Sequence, residues 1–164
     1  MADVAHPGGG DPSLVDVELV GVPVDVLRRS RSYHEGLARE LILVATGRAD
    51  AVPDRLVHLG RELGPRLGRF SLPTQARLDQ AVADGVLVVD VTLRVPRSDG
   101  AAAQELLTLL EEVDQLAREG TLLTLVPPAD VAALRHWYLG QFTTQVAGGP
   151  ARSYADWLVD RAGA

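Results

Sequence analysis

Several residue types are missing from this 164-residue chain, and each absence excludes a kind of chemistry. There is no cysteine, so disulfides, thiolate catalysis and cysteine metal sites are excluded. All 16 basic residues are arginine, so the chain has no phosphate-loop lysine, no Schiff-base lysine and no kinase-type lysine. It also lacks asparagine, which excludes a kinase or ATPase site that holds magnesium through that side chain.

The composition also indicates where we expect the protein to be located and which partners we do not expect it to bind. No run of 18 or more apolar residues occurs, and the first residues lack the basic start and apolar core of a signal peptide. We therefore expect a cytoplasmic protein. The formal net charge of −6 argues against general binding to nucleic acid or to an anionic membrane.

Motifs that carry known chemistry are also missing. The chain has no His-Glu-x-x-His zinc helix, no Gly-x-Ser-x-Gly nucleophile elbow, no glycine-rich dinucleotide motif and no acidic calcium loop. We therefore expect a non-enzymatic protein without a metal or cofactor.

The length is that of one domain. Residues 1–13 contain three consecutive glycines and two prolines, which predicts a disordered tail. Residues 14–147 form a single predicted α/β domain. Residues 148–164 are predicted to be a C-terminal tail that can dock through Tyr154 and Trp157.

The second half of the chain has the clearest pattern. Val86–Val95 alternates apolar and polar residues at its centre, which is typical of a strand with one buried face. Ala101–Glu119 has a helical period with an acidic face, and Gly120 is a suitable C-terminal cap. Thr121–Val126 is a short apolar run that predicts another strand, and a last helix follows from Pro128.

The first half is predicted to be one strand and three helices. Val15–Val22 alternates like a strand, and Asp25–Thr46 has the period of a long helix. Pro53–Leu63 predicts a second helix, with continuation to Arg69 across an interruption at Gly64-Pro65 as the alternative, and Pro73–Asp84 predicts a third. The expected fold is a two-layer α/β domain in which about five helices cover a three-stranded sheet, in the order β-α-α-α-β-α-β-α. Parallel and antiparallel placements of the first strand both remain open.

Two groups of residues are candidate sites. Arg135, His136 and Trp137 can form an exposed anchor for a protein partner, since Trp, Tyr and Arg dominate binding hot spots. The alternative is that the C-terminal tail folds back over them. His34 and Tyr138 can line a ligand pocket between the long first helix and the last one, although an ordinary core position is the simpler interpretation of each.

A resemblance to a known family is carried by five segments of the chain: Val20–Pro23, Tyr33–Leu41, Gly120–Leu125, Pro127-Pro128 and Leu134–Phe142. Together they resemble an uncharacterised actinobacterial family. Members of that family accompany the anti-sigma ATP-binding proteins, phosphatases and antagonist domains of partner-switching signalling. The resemblance implies a regulatory role, with an ATP-binding regulator, an antagonist or a sigma factor as the protein partner, but it assigns no functional residue.

In the central part of the chain, Val88–Val91 is followed by Ser98–Gly100 at the start of a helix. This arrangement is similar to the later half of anti-sigma-antagonist (STAS) domains. It implies that Ser98 is a phosphorylation site, and a phosphate there would be favoured by helix N–H groups. The alternative role for Ser98 is a simple helix cap.

From these patterns and resemblances we expect a non-enzymatic protein-interaction domain in bacterial partner-switching signalling. The alternative is a small-molecule sensor with its pocket near His34 and Tyr138.

Overall fold

The structure is a computed structural model that describes residues 13–46, 54–123 and 126–163. Its elements along the chain are β1 (Leu14–Pro23), α1 (Val24–Thr46), α2 (Asp54–Ala83), β2 (Val88–Pro96), α3 (Ser98–Arg118), α4 (Ala129–Val146) and α5 (Tyr154–Ala162). Within these ranges, no helix is long and apolar enough to cross a membrane.

The sheet consists of β1 and β2, which pair antiparallel from Leu14 opposite Pro96 to Pro23 opposite Val88. The register shifts between Leu19 and Val22. At this bulge Gly21 has a φ of 74°, in the left-handed region that favours glycine. The Gly21 N–H donates a hydrogen bond of 2.7 Å to Asp90 Oδ1 on the partner strand. One face of the ribbon is buried, as the alternation predicts: Val17, Leu19, Val22, Val91, Leu93 and Val95.

The predicted three-stranded sheet is wrong. Residues 121–123 and 126 are not in a strand, and residues 124 and 125 lie outside the described part of the chain. Leu122 is buried, but Leu123 is 93% exposed and its N–H donates to Glu40 of α1 instead of to a strand. This apolar run before two prolines is too short for its periodicity to distinguish a strand from an apolar connection.

The prediction of two separate helices between α1 and β2 is also wrong. A single helix, α2, runs over 30 residues with Pro65 and Pro73 inside it. A proline in a helix interior removes a hydrogen bond and costs about 3 kcal/mol. The helix nevertheless continues because its inward side chains are buried on both sides of each proline, and each such burial contributes about 1.5–3 kcal/mol. These side chains are Leu59, Leu63, Phe70 and Leu78.

Four helices form a ring around the core. α1 packs on α2, α2 on α3, α3 on α4, and α4 returns to α1. The ribbon of β1 and β2 lies against this ring, mainly through contacts between β1 and α4. The fold is therefore mainly helical with one antiparallel ribbon, and the predicted layer of helices over a larger sheet is absent from the described residues. The ring is filled by side chains from each of its helices, among them Leu37, Leu41, Leu59, Leu63, Leu106, Leu110, Leu134 and Trp137.

The residues predicted to be a C-terminal tail contain α5. Ser153 caps this helix, because its Oγ accepts a hydrogen bond of 3.1 Å from the Asp156 N–H. Tyr154, the first residue of the helix, is buried. The helix packs on β1 and α4, so this segment is anchored to the rest of the domain.

Candidate functional site

The four helices of the ring line a cavity of about 260 Å³ that is partly open to the surface. An engineered apolar cavity of about 150 Å³ binds benzene, so a cavity of this size has room for a larger small molecule. It is slightly smaller than the usual range for ligand pockets. Most of its wall is apolar, with side chains from all four helices: Leu27, Leu67, Phe70, Leu106, Leu110 and Leu134.

Glycines in α2 leave part of this space open. Gly64 and Gly68 both line the cavity. A Cβ atom built at either position would meet no heavy atom within 4 Å. Glycine inside a helix lowers its stability by roughly 0.5–1 kcal/mol relative to alanine, and here it leaves unfilled volume beside the helix.

His34 of α1 is half-buried and lines the cavity. Its Nδ1 lies 3.4 Å from Ser30 Oγ, one turn earlier in the helix. Its Nε2 is buried and has no hydrogen-bond partner within the described residues. Burial, followed by the nearby positive charge of Arg135, lowers the pKa of His34 to about 4. The imidazole is therefore neutral near pH 7.

Arg135 of α4 forms a buried ion pair with Asp114 of α3. The side chains are 3% and 9% exposed, and two guanidinium nitrogens of Arg135 donate to the two carboxylate oxygens of Asp114. This fork geometry is the strong form of such a pair. The remaining guanidinium donor, Nε, is buried and makes no hydrogen bond among the residues that the structure describes. Arg135 lines the same cavity as His34.

Tyr138 closes another side of the cavity. Its hydroxyl group donates a hydrogen bond of 2.7 Å to the main-chain carbonyl of Phe70, which joins α4 to α2. Burial raises the pKa of Tyr138. His34 and Tyr138, the two predicted pocket residues, therefore do line one cavity between α1 and α4. The sequence did not indicate that α2 and α3 complete it.

The predicted exposed anchor is not on the surface. Trp137 is 0% exposed, and its Nε1 donates a hydrogen bond of 2.9 Å to the Arg152 carbonyl. Its ring packs edge to face with Tyr154, with centroids 5.3 Å apart. Arg135 is also buried. The structure thus has the alternative arrangement, in which the C-terminal segment folds back over this part of α4.

His136 is the most exposed residue of the three that were predicted as an anchor. Its side chain is 23% exposed, and Nε2 lies 3.6 Å from a carboxylate oxygen of Glu111. Burial, followed by the charges of Arg135 and Arg161, lowers the pKa of His136. A single half-buried histidine offers little area for a protein partner.

Ser98 is exposed and is the first residue of α3. It does not cap the helix, since Arg97 occupies the N-cap position and no side chain caps the first turn. Arg69 Nη2 lies 3.3 Å from Ser98 Oγ and also pairs with the buried carboxylate of Asp99. Phosphorylation of Ser98 stays a prediction. A phosphate there would compete with Asp99 for Arg69.

The most important residue that sequence reasoning missed is Asp114. We expected the acids of α3 to face solvent, but Asp114 is buried against Arg135. A sequence pattern that predicts this does exist. Asp114 follows Leu106 by eight residues and Leu110 by four, and this spacing puts it on the apolar stripe of the helix.

Within the described ranges, no group of three or more His, Asp or Glu side chains is arranged to hold a metal ion. Comparison with protein-family models, with curated proteins and with solved structures finds no match to the chain. Both resemblances given above therefore stay predictions, and the site has to be interpreted from its own geometry.

Proposed function

We propose that this protein is a small-molecule-binding sensor domain whose ligand occupies the cavity inside the four-helix ring. The observation that carries the proposal is the cavity itself. Its walls are mainly apolar, and a few polar side chains, among them His34, Arg135 and Tyr138, line it. This combination is typical of small-molecule sites, where apolar contacts supply affinity and a few polar groups orient the ligand.

The position of the cavity suits a sensor. Its wall includes residues of α1, α2, α3 and α4, so a bound ligand would contact every helix of the ring. A ligand that binds only the folded ring stabilises it, by about 2.7 kcal/mol when its concentration is 100 times Kd. Ligand binding would therefore increase the stability of the packed helices.

The test combines native mass spectrometry with thermal denaturation. Protein purified gently from its native host would carry a small extra mass, and single-ring aromatic compounds would raise the Tm of ligand-free protein. Gly68→Leu introduces a side chain into the cavity and should abolish both effects. Gly36→Leu is the matched control, because Gly36 is also helical and half-buried, has open space around a built Cβ and does not line the cavity.

Two outcomes would contradict the proposal. One is a Tm that no compound raises, together with protein that carries no extra mass. The other is equal ligand response in Gly68→Leu and wild-type protein, which would place binding elsewhere.

A second candidate is the protein-interaction domain of partner-switching signalling that the sequence suggests, acting in the cytoplasm. Two exposed apolar side chains favour it. Leu43 is 71% exposed and Leu123 is 93% exposed. The Leu123 N–H donates to Glu40, one turn before Leu43, so these two leucines belong to the same region. Exposed apolar patches often mark interaction sites.

This second function is tested by binding of the purified domain to an ATP-binding regulator, an antagonist and a sigma factor from its own host. The double variant Leu43→Ser, Leu123→Ser should weaken the complex at least tenfold without lowering the Tm. Val159→Ser on α5 removes an equally exposed apolar side chain (71%) and should leave binding unchanged. Absence of binding to all three classes by wild-type protein would remove this candidate.

A further inference from the structure

We propose that the outer edge of β2 is a docking surface for a second copy of this chain, which pairs with it through its own β2 in antiparallel orientation. The two ribbons would then form one continuous sheet in the order β1-β2-β2-β1, related by a two-fold axis. None of the residues that carry this inference lines the cavity, so it is independent of the proposed function.

Hydrogen bonds at the two ends of β2 show which of its main-chain groups face away from β1. At one end the Val24 N–H donates to the Leu87 carbonyl at 3.0 Å, and at the other the Arg97 N–H donates to the Ser13 carbonyl at 2.9 Å. Main-chain groups alternate between the two sides of a strand. The extra residue of the bulge lies in β1, so this alternation is unbroken along β2. The even-numbered residues of β2 therefore point their N–H and carbonyl groups to its outer edge.

This outer edge is open in the part of the chain that the structure describes. The sheet there has two strands, so β2 has no neighbouring strand on its far side. Asp90, Thr92 and Arg94 are exposed, and their main-chain groups bond to no described residue outside the ladder with β1. The corresponding edge of β1, by contrast, is satisfied at Glu18 by the side chain of Gln145. An unpaired strand edge is a ready template for another strand.

The side chains along this edge are complementary to themselves in one register. When Thr92 faces Thr92 of the second copy, Asp90 faces Arg94 of the second copy, and Arg94 faces Asp90. Opposite charges and paired threonines on facing strands each stabilise a sheet. Asp16 lies opposite Arg94 on β1, but Arg94 forms no ion pair with any described side chain. Asp90 bonds to the Gly21 N–H through Oδ1, and its Oδ2 is available to a second partner.

Other registers lack this complementarity. A two-fold axis at Val91 or at Leu93 puts one of the two charged residues opposite Thr92 and leaves it without an opposite charge. An axis at Asp90 or at Arg94 puts two like charges directly opposite each other, which is unfavourable. The charges therefore select the register that is centred on Thr92.

The ends of this interface would cover an exposed apolar side chain. Val88 is 54% exposed and comes opposite Pro96 of the second copy in the register centred on Thr92. Proline has no N–H, but at the outermost pair it removes no bond between the central residues. A contact along one strand edge buries less surface than a standard protein interface. We therefore expect association that depends on protein concentration.

Sedimentation velocity of the full chain at about 5 to about 500 μM measures this association, which we expect in the upper part of the range. Thr92→Pro should abolish it, because the proline blocks the outer edge and the ladder with β1 does not use the Thr92 N–H. Arg94→Glu should weaken it roughly tenfold or more, since a glutamate then faces Asp90. Arg77→Glu is the matched control, because Arg77 is exposed on α2 and its replacement changes the net charge equally.

Mixing two variants tests the register itself. In a homodimer, Arg94→Glu and Asp90→Arg each put like charges opposite each other, so each variant alone should be monomeric. In a mixture, every changed residue faces an opposite charge on the other chain, so a heterodimer should form and be visible by native mass spectrometry. Asp90→Arg also removes the hydrogen bond to the Gly21 N–H, so its Tm is measured alongside.

Thr92→Cys is a second test that leaves the charges unchanged and applies even if Asp90→Arg does not fold. The chain contains no cysteine, so a disulfide in this variant must join two copies at this position. Facing residues of a hydrogen-bonded pair have Cα atoms about 5.5 Å apart, which suits a disulfide. Mild oxidation should link Thr92→Cys chains much faster than Arg77→Cys chains.

Three results would overturn the proposal. A monomer at every concentration would mean that Asp90 and Arg94 protect the edge of β2 from pairing. A dimer that persists in both Thr92→Pro and Arg94→Glu would place the contact on another surface. A mixture of Arg94→Glu and folded Asp90→Arg that stays monomeric would exclude the register. None of these results bears on ligand binding in the cavity.

Discussion

The side-chain amide of Gln145 forms two hydrogen bonds with the main chain of Glu18. Its Oε1 accepts from the Glu18 N–H at 2.9 Å, and its Nε2 donates to the Glu18 carbonyl at 2.8 Å. Gln145 belongs to α4 and Glu18 to β1, so the amide takes the place of a neighbouring strand at the outer edge of the ribbon. The main-chain N–H and carbonyl of Glu18 are therefore hydrogen-bonded without a third strand.

Replacing Gln145 with leucine should lower the free energy of unfolding by about 1–3 kcal/mol, because one N–H and one carbonyl of β1 then lose their partners. The glutamine is buried, so water does not readily replace it. Urea denaturation at pH 7.5 measures the change. Gln104→Leu is the matched control, since Gln104 is exposed on α3 and bonds nothing on another element among the described contacts. A loss below 0.5 kcal/mol for Gln145→Leu would show that the edge of β1 is satisfied in another way.

Trp137→Ala should lower the free energy of unfolding by about 3–5 kcal/mol, the usual cost of removing a fully buried aromatic side chain. It also removes the contacts with Tyr154 and the Arg152 carbonyl, so α5 should separate from the ring. Trp157, on α5, is the remaining tryptophan, and its fluorescence should shift to longer wavelength.

Trp157→Ala is the comparison for this variant. Trp157 is half-buried and lies against Arg161, with the guanidinium carbon 5.1 Å from the ring centroid. Its removal should cost clearly less than that of Trp137. A Trp137→Ala protein as stable as wild type but defective in partner binding would instead restore the exposed-anchor hypothesis.

Stability should fall as the pH decreases from about 6.5 to about 4, in part because of His34. The pKa of His34 in the folded protein is lowered to about 4 from 6.5, so between these values the unfolded chain binds a proton that the folded protein does not. Protonation of the unfolded chain then favours unfolding, and the effect is complete below pH 4. The expected loss is on the order of 3 kcal/mol.

The measurement is urea denaturation of wild-type and His34→Leu protein at pH 7.5, 6.0, 5.0 and 4.5. His136 and the carboxylates titrate in both proteins, so the difference between the two curves isolates His34. The free energy of unfolding of wild-type protein minus that of His34→Leu protein should therefore decrease as the pH falls from 7.5 to 4.5. A constant difference across this range would mean that His34 is solvated and has an ordinary pKa.

Arg69→Ala should destabilise the protein by about 1–3 kcal/mol, because it leaves the Asp99 carboxylate, 7% exposed, without its cation. Ser98→Ala should have little effect, since the Ser98 side chain is exposed and does not cap α3. Thermal and urea denaturation measure both. Arg29→Ala is a fair control, because Arg29 is equally exposed (45% against 44%) but pairs only with exposed acids. An Arg29→Ala protein destabilised as much as Arg69→Ala would contradict the argument from burial.

Much of the local structure follows from sequence periodicity. The alternation of Val15–Val22 and Val86–Val95 indicates two strands with one buried face, and the 3.6-residue period indicates α1, α3 and α4 with ends close to those in the structure. These patterns show which side of each element is apolar, and they depend only on the order of neighbouring residues. The absence of cysteine and lysine likewise excludes whole classes of chemistry in this chain whatever its fold.

Tertiary packing decided the rest. Pro65 and Pro73 disrupt a helix locally, but burial of leucines and Phe70 on both sides of them keeps α2 continuous. Thr121–Val126 is apolar enough for a strand, yet the first three residues of this run lie in a connection beside α1.

The candidate site depends on packing most of all. Trp137 lies in the core because α5 covers it, and His34, Arg135 and Asp114 meet only because α1, α3 and α4 belong to one ring. Periodicity reports the apolar side of a helix, but it does not report which other helix that side will meet. The cavity is therefore a property of the tertiary structure alone.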